Sequence, residues 1–531
     1  MQRMNGIDPM FVYSDTPDTP MEVAYACVFD PSTVEGGYSF AGVRELLASR
    51  LSMVPPFRRR LVTVPFGLDH PRWVDDPEFD LDNHLHRVAL PAPGAEPEYA
   101  RQVAEVLEHP LPPDQPPWEM HVLEGLEGGL VGLIAKVHHS VIDGVAGAEL
   151  LARFLDVTPE GEGRADAPEE IPWDPPELPS YARLVTDALP HVLTSPMRTL
   201  GATREVGRTG LRLLRRAVDS ATGPISIPGA APATFETPVG PRRQVAFAEL
   251  DLAEVRALKD RFGATVNDVV LAVCSGALRH HLLALGQDTD SPLVAVIPVS
   301  VREEGDGNGG EGAAGPGGPR GGADQPAALG NRLSAMFVPL ANDKKTALER
   351  LRTVMAASSR SKGQEQAAGF GTMASLLADA IPPAVSRPVV QLGVRAGLVR
   401  RLRAGNLMIS NVPGPDFPLY FTGMRLRNLY PLGPVVDGVA LNITVQSYLR
   451  SLFIGINASA SAVPDPPGLA REMAEELTLL TKMAAGAPKR RRASGAESRP
   501  ASPSAFPAPA PAPSPGHGRP AGRDGSDLTT D

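Results

Sequence analysis

The stretch His138-His139-Ser140-Val141-Ile142-Asp143-Gly144 places an imidazole base, a carboxylate and a glycine within a single heptad. Its flanks set the local structure. Upstream, Leu130 to Val137 is an almost unbroken apolar run and reads as a buried strand. Downstream, Val145 to Leu155 carries the apolar spacing of a helix. The histidines therefore stand at the end of a strand, before a turn into a helix. Neighbouring strand residues point to opposite faces, so only one imidazole can face a given cavity. The other is left to pack or to hydrogen-bond.

That alternation argues against metal binding by the pair. Two adjacent strand histidines do not easily reach one ion, and no Cys or third His lies at ligand spacing nearby. No metal is expected. The plainest alternative, two scaffold histidines satisfied by hydrogen bonds, explains a lone His better than it explains the whole heptad.

Bulk properties narrow the class. The chain has 531 residues, enough for two or more domains, and 42% hydrophobic composition, enough for sizeable cores. A net charge of −10 excludes nucleic-acid binding by overall electrostatics. Cys27 and Cys274 lie far apart in sequence, which suits a reducing compartment without a disulfide framework. No N-terminal apolar signal and no spanning apolar segment is read, so a cytoplasmic protein with at most peripheral membrane contact is expected.

Along the chain, residues 1–158 form a first candidate domain. Residues 159–244 form a linker and a basic, amphipathic helical region, and residues 245–485 a second domain. Within the latter, residues 303–328 are almost wholly Gly, Ala, Pro and acidic. With the Pro/Ala/Ser-rich tail 486–531, they are too polar to offset chain entropy and are expected to be disordered. Helices are predicted over 250–262 and from 265 to about 283. Strands are predicted over 294–301, 333–338, 407–411 and 440–445. Strands and helices in both halves give an α/β fold class.

The heptad has the form His-His-x-x-x-Asp-Gly and resembles the motif of the CoA-dependent acyltransferase superfamily. Further segments resemble the bacterial wax ester synthase/diacylglycerol acyltransferase family. They include Ile7-Asp8-Pro9-Met10-Phe11, Thr19 to Val23, Phe57 to Leu61 and Trp73 to His84. Later come Leu111 to Asp114, Pro117-Trp118-Glu119, Gly263 to Ala272 with Asn267-Asp268, Pro298 to Arg302, Gly330-Asn331-Arg332 and Ser410 to Pro415. The likeness runs from about residue 7 to about residue 482. It departs at Pro116-Pro117-Trp118, where the family has Pro-Leu-Trp. It departs also at Glu22, where His is frequent, and at Glu236-Thr237, where an Asn is common.

The resemblance implies two similar chloramphenicol-acetyltransferase-like domains with the active-site tunnel between them. It implies transfer of a long-chain acyl group from acyl-CoA, as cosubstrate, to diacylglycerol, and to long-chain alcohols as wax esters. No cofactor is implied. His139 would be the general base and His138 its support. Asp143 would hold the loop by pairing with an arginine, for which Arg302 is the candidate, and Gly144 would let the chain turn closely past the site. Asn267 is a candidate oxyanion donor, against a plain reading as a helix cap. Asp268, Ser410, Asn411 and Trp118 are candidates on the substrate side. The Ser410–Pro415 run also reads as a strand-to-turn signal, and Trp118 as a packing residue.

Six arginines (198, 204, 208, 212, 215 and 216) against one acid, Glu205, together with Arg395, Arg400, Arg401 and Arg403, suggest contact with an anionic membrane or lipid-droplet surface. The alternative is a solvated helix face. Two rival functions stand beside the main one: an acyltransferase that takes its donor from a carrier protein, and a non-catalytic lipid-droplet binding protein that retains the fold.

Overall fold

The computed structural model describes residues 1–141, 153–161, 173, 175–194, 235, 237–300, 333–368, 381–397 and 405–486. Asp143, Gly144, Arg302, most of the helix predicted after the heptad, the loop 303–328, the tail and the arginines from 198 to 216 lie outside them.

The apolar run upstream of the histidines is the strand Val131–His138, buried along its whole length. It pairs antiparallel with Glu22–Asp30 on one side and Trp118–Glu124 on the other. Leu85–Ala89 joins in parallel beyond Trp118–Glu124. The opposite edge is closed by Met424–Leu432 and Tyr420–Phe421, which come from far down the chain. The boundaries expected at 158 and 245 therefore do not separate the two sheets. The hydrogen-bonding edge of Glu22–Asp30 would otherwise be left unpaired, and residues 420–432 satisfy it.

A second six-stranded sheet is built wholly from later residues. Its order is Leu333–Pro339, Val294–Ser300, Leu407–Val412, Leu441–Tyr448, Ser451–Ser459 and Arg243–Asp251. The predicted strands fall within a few residues of these bounds. The predicted helix over 250–262 begins instead at Leu252, because Leu250 and Asp251 finish the edge strand. Asp251 then caps the helix by accepting the Ala253 N–H at 2.6 Å. Gly263, at φ +66°, ends it in the left-handed conformation.

The helix Val266–Ala284 is apolar nearly all round, as a core helix must be. It packs against the helices Ala347–Ala368 and Pro466–Gly486. At their junction Arg350 and Glu476 form a buried ion pair at 2.6 Å. Gly276 is required beside it, since a Cβ there would lie 2.1 Å from the Glu476 carboxyl carbon. The two sheets are joined by the helix Glu96–Glu108, which packs both on the first sheet and on the edge strand Arg243–Asp251 of the second. Among the described residues no helix is long and apolar enough to cross a membrane.

Candidate active site

The two histidines part as strand alternation requires. His138 is the last residue of its strand and is buried. Its Nδ1 accepts the Ser140 backbone N–H at 3.1 Å and lies 2.7 Å from Ser140 Oγ. An Nδ1 that accepts a backbone N–H carries no proton, so the neutral ring holds its hydrogen on Nε2. That atom faces Asp15 Oδ2 at 3.6 Å. His139 stands just past the strand, half-buried. Its ring stacks on Phe11, with centroids 4.4 Å apart and planes 10° from parallel, and its backbone N–H donates to the Met21 carbonyl at 2.8 Å.

Asp15, which the sequence did not single out, ties these pieces together. One carboxylate oxygen accepts the Met21 N–H at 3.0 Å, and Met21 in turn holds His139; the other oxygen faces His138. The loop that presents Asp15 is closed by a tight Thr16–Thr19 turn, with the two hydroxyls 2.7 Å apart. It is braced from the second sheet by Arg243, which donates to the Asp18 carbonyl at 2.6 Å.

Asp15→Ala should therefore lower kcat by about tenfold or more, because small misplacements of a reacting group are costly. KM for the acyl donor should change little. Asp15→Asn keeps an acceptor for Met21 and removes the charge facing His138. Wild-type kcat in that variant would leave Asp15 as a backbone clamp alone.

A row of polar side chains backs the histidines on one face of the first sheet. Glu22 lies opposite His138 and Glu119 opposite Lys136, while His121 pairs with His86 on the neighbouring strand. Lys136 is fully buried inside the run that reads as apolar. Its ammonium donates to the Val106 carbonyl at 2.9 Å, the His109 carbonyl at 2.6 Å and Glu119 Oε1 at 2.6 Å, and lies 3.4 Å from Glu22 Oε2. It thus satisfies carbonyls left open at the C-terminus of the helix Glu96–Glu108, where a cation also suits the helix dipole. Glu22 accepts the Leu111 N–H at 2.6 Å. Burial pushes its carboxyl above the usual range, against the pull of Lys136 and that N–H.

The remaining candidates fall into different places. Trp118 lies in the core. It is buried, stacked between Phe57 and His84, and its indole N–H is spent on the Phe57 carbonyl at 2.8 Å. Asn267 is not the helix cap. Thr265 is, in a capping box in which Asp268 accepts the Thr265 N–H at 2.9 Å and donates its own to Thr265 Oγ1 at 3.1 Å. Asn267 therefore sits in the first helical turn without the capping task. Asp268 has a structural task, with its other oxygen, Oδ1, buried and unpartnered. Ser410 and Asn411 lie on the strand Leu407–Val412, paired in parallel with Thr444 and Val445.

Paired histidines ending a central strand, in a chain whose two mixed sheets are interlocked by a late strand, are the architecture of the chloramphenicol-acetyltransferase-like acyltransferases. The model of the wax ester synthase/diacylglycerol acyltransferase catalytic domain matches residues 4–270, and that of the family's C-terminal domain matches residues 329–481. Two Mycobacterium tuberculosis proteins described as putative diacylglycerol O-acyltransferases are similar. One is 35% identical over 490 residues, covering 90% of this chain and 89% of its own. The other is 33% identical over 469 residues, covering 87% and 93%. A wax ester synthase/diacylglycerol acyltransferase from Marinobacter aquaeolei VT8 superposes with a TM-score of 0.63 at 25% identity, covering 91% of this chain and 100% of that one. The first condensation domain of the calcium-dependent antibiotic synthetase shares the fold, with a TM-score of 0.54 at 16% identity, covering 91% and 96%. The chain belongs to the wax ester synthase/diacylglycerol acyltransferase family and is an acyltransferase.

Proposed function

We propose that the protein transfers a long-chain acyl group from acyl-CoA to diacylglycerol, and to long-chain alcohols, with His139 as the general base. The observation that carries this is the mounting of His139: half-buried, stacked on Phe11 and held by its backbone beside a histidine whose own tautomer is fixed. A neutral imidazole there takes the alcohol proton as the oxygen attacks the thioester carbonyl. The tetrahedral intermediate collapses, the carbon–sulfur bond breaks, and the imidazolium returns the proton to the CoA thiolate. The thioester is already activated, so this sequence needs no covalent enzyme intermediate and no cofactor. Purified protein with palmitoyl-CoA and diacylglycerol or hexadecanol should form ester and release free CoA in equal amounts. CoA release without ester would mark a thioesterase, and neither product a binding protein.

Such acceptors reside in lipid, and the protein offers a surface suited to it. On the helix Pro383–Arg395, Val385, Val389 and Leu392 recur at i, i+4 and i+7 and are 54, 64 and 70% exposed. Beside that helix Phe66 is 87% exposed and held at φ +59°, a conformation that bulky residues avoid. Leu193, in the helical residues 181–194, is 77% exposed. Arg387 and Arg395 lie exposed on the same helix. Apolar side chains flanked by arginine suit an anionic lipid interface. The helix packs against Asp8–Ser14, which carries Phe11, so this surface lies one helix away from His139.

Changing Val385, Val389 and Leu392 together to Ser should weaken flotation with phosphatidylglycerol-containing vesicles. Turnover of a short, soluble alcohol should be retained. Unchanged flotation would remove this face from membrane contact.

A further inference from the structure

We propose that His86, Glu119 and His121 form a binding site for a divalent transition-metal ion of the zinc type, separate from the acyl-transfer centre. Glu119 and His121 are at i and i+2 of one strand and so project to the same face. His86 is the direct partner of His121 on the parallel neighbour. Two ligands on one strand and a third across the ladder present a three-point set on a rigid frame.

The donor atoms already converge. His121 Nε2 is 3.1 Å and His86 Nε2 is 3.8 Å from the two Glu119 oxygens, and all three ligand atoms lie within 4.8 Å of one another. Tetrahedral zinc with bonds of about 2.0–2.2 Å holds its donors roughly 3.3–3.6 Å apart. Modest side-chain rotation therefore closes the set. The His121 Nε2 atom is shielded from water, and its near neighbour Glu119 Oε1, at 3.1 Å, is already taken by Lys136 at 2.6 Å. A cation gives that nitrogen a partner of its own.

Lys136 occupies only Oε1 of Glu119. It orients the carboxylate as an outer partner does in metal sites and leaves Oε2 towards His86. The His86 side chain is 38% exposed, which gives an ion access and leaves the fourth position to water.

Sequence spacing could not show this group. Residues 86 and 121 meet only through strand pairing, and the ligand spacings recognisable in sequence are local.

The test is calorimetric titration of the untagged, chelator-stripped full chain with Zn2+, with the visible spectrum of the Co2+ form as a second readout. One-to-one binding is expected, weakened at least about tenfold by His86→Gln and separately by His121→Gln. Binding should also weaken as pH falls and the imidazoles protonate. His139→Ala should leave the affinity unchanged. The Co2+ form should show the intense bands of low coordination number, and these should vanish in both variants, whose thermal melts identify any that fail to fold. Binding that survives both substitutions, binding lost in His139→Ala, or no stoichiometric binding would overturn the proposal.

Discussion

Replacing His139 with alanine is expected to lower kcat by about 10²–10⁴-fold, the range typical for loss of a general base. The melting temperature should stay near that of the parent. The expectation follows from where the ring sits. His139 lies beyond the end of its strand and is half-buried, and its ring stacks on Phe11. Its backbone N–H bond to Met21 does not depend on the side chain. His138→Ala should differ in kind. That ring is buried and accepts the Ser140 N–H, so its loss leaves a buried donor without a partner, at about 1–3 kcal/mol. The rate should fall less than in His139→Ala, and the stability more. Single-turnover ester formation alongside thermal melts separates the two. Near-normal turnover by His139→Ala would remove it from the mechanism.

Much of this frame was legible in the sequence, and the parts that were not share a cause. The buried strand leading into the heptad announced itself because all its residues ahead of His138, except Lys136, are apolar or small. The core helix Val266–Ala284 did so because its apolar run is longer than a strand's. Those signals are local. The closing strand Met424–Leu432 belongs to the first sheet only because the edge of Glu22–Asp30 is free to receive it, and that is a fact of tertiary pairing. The helix Pro383–Arg395 was obscured by Pro388, a residue that normally ends helices. Asp15 lies in a polar turn and carries no motif; its role appears only when the loop folds back over the end of the central strand. Trp118 shows the converse, since a residue prominent in the family-like block turned out to be core.

The departure at Glu22 becomes intelligible through Lys136. A carboxylate at that position balances part of a buried ammonium and takes the Leu111 N–H. The two acids flanking Lys136 respond to it in opposite ways. Glu119 is held well below its usual range, whereas Glu22 stays above it because burial outweighs its partners.

Lys136→Met should accordingly destabilise the protein by about 3–5 kcal/mol at pH 8, the usual effect of removing one partner from a buried ion pair. Two acids lose their cation, and the Val106 and His109 carbonyls lose a donor. The pH dependence has a definite sign. A carboxyl whose folded pKa is raised binds its proton more readily in the folded state, so its contribution to stability improves as pH falls. In the variant Glu22 rises further, and the deficit should shrink between pH 8 and pH 5. In the parent, the stability supplied by Glu119 is present above its unfolded pKa near 4.5 and is lost as pH falls towards its folded value of about 2. Adding Glu119→Gln to Lys136→Met should recover part of the loss, since the second change removes one stranded charge. Denaturant midpoints of the two single variants and the double variant at both pH values give the complete cycle. A Lys136→Met protein within about 1 kcal/mol of the parent at pH 8 would mean that the desolvation of the ammonium cancels everything its partners return.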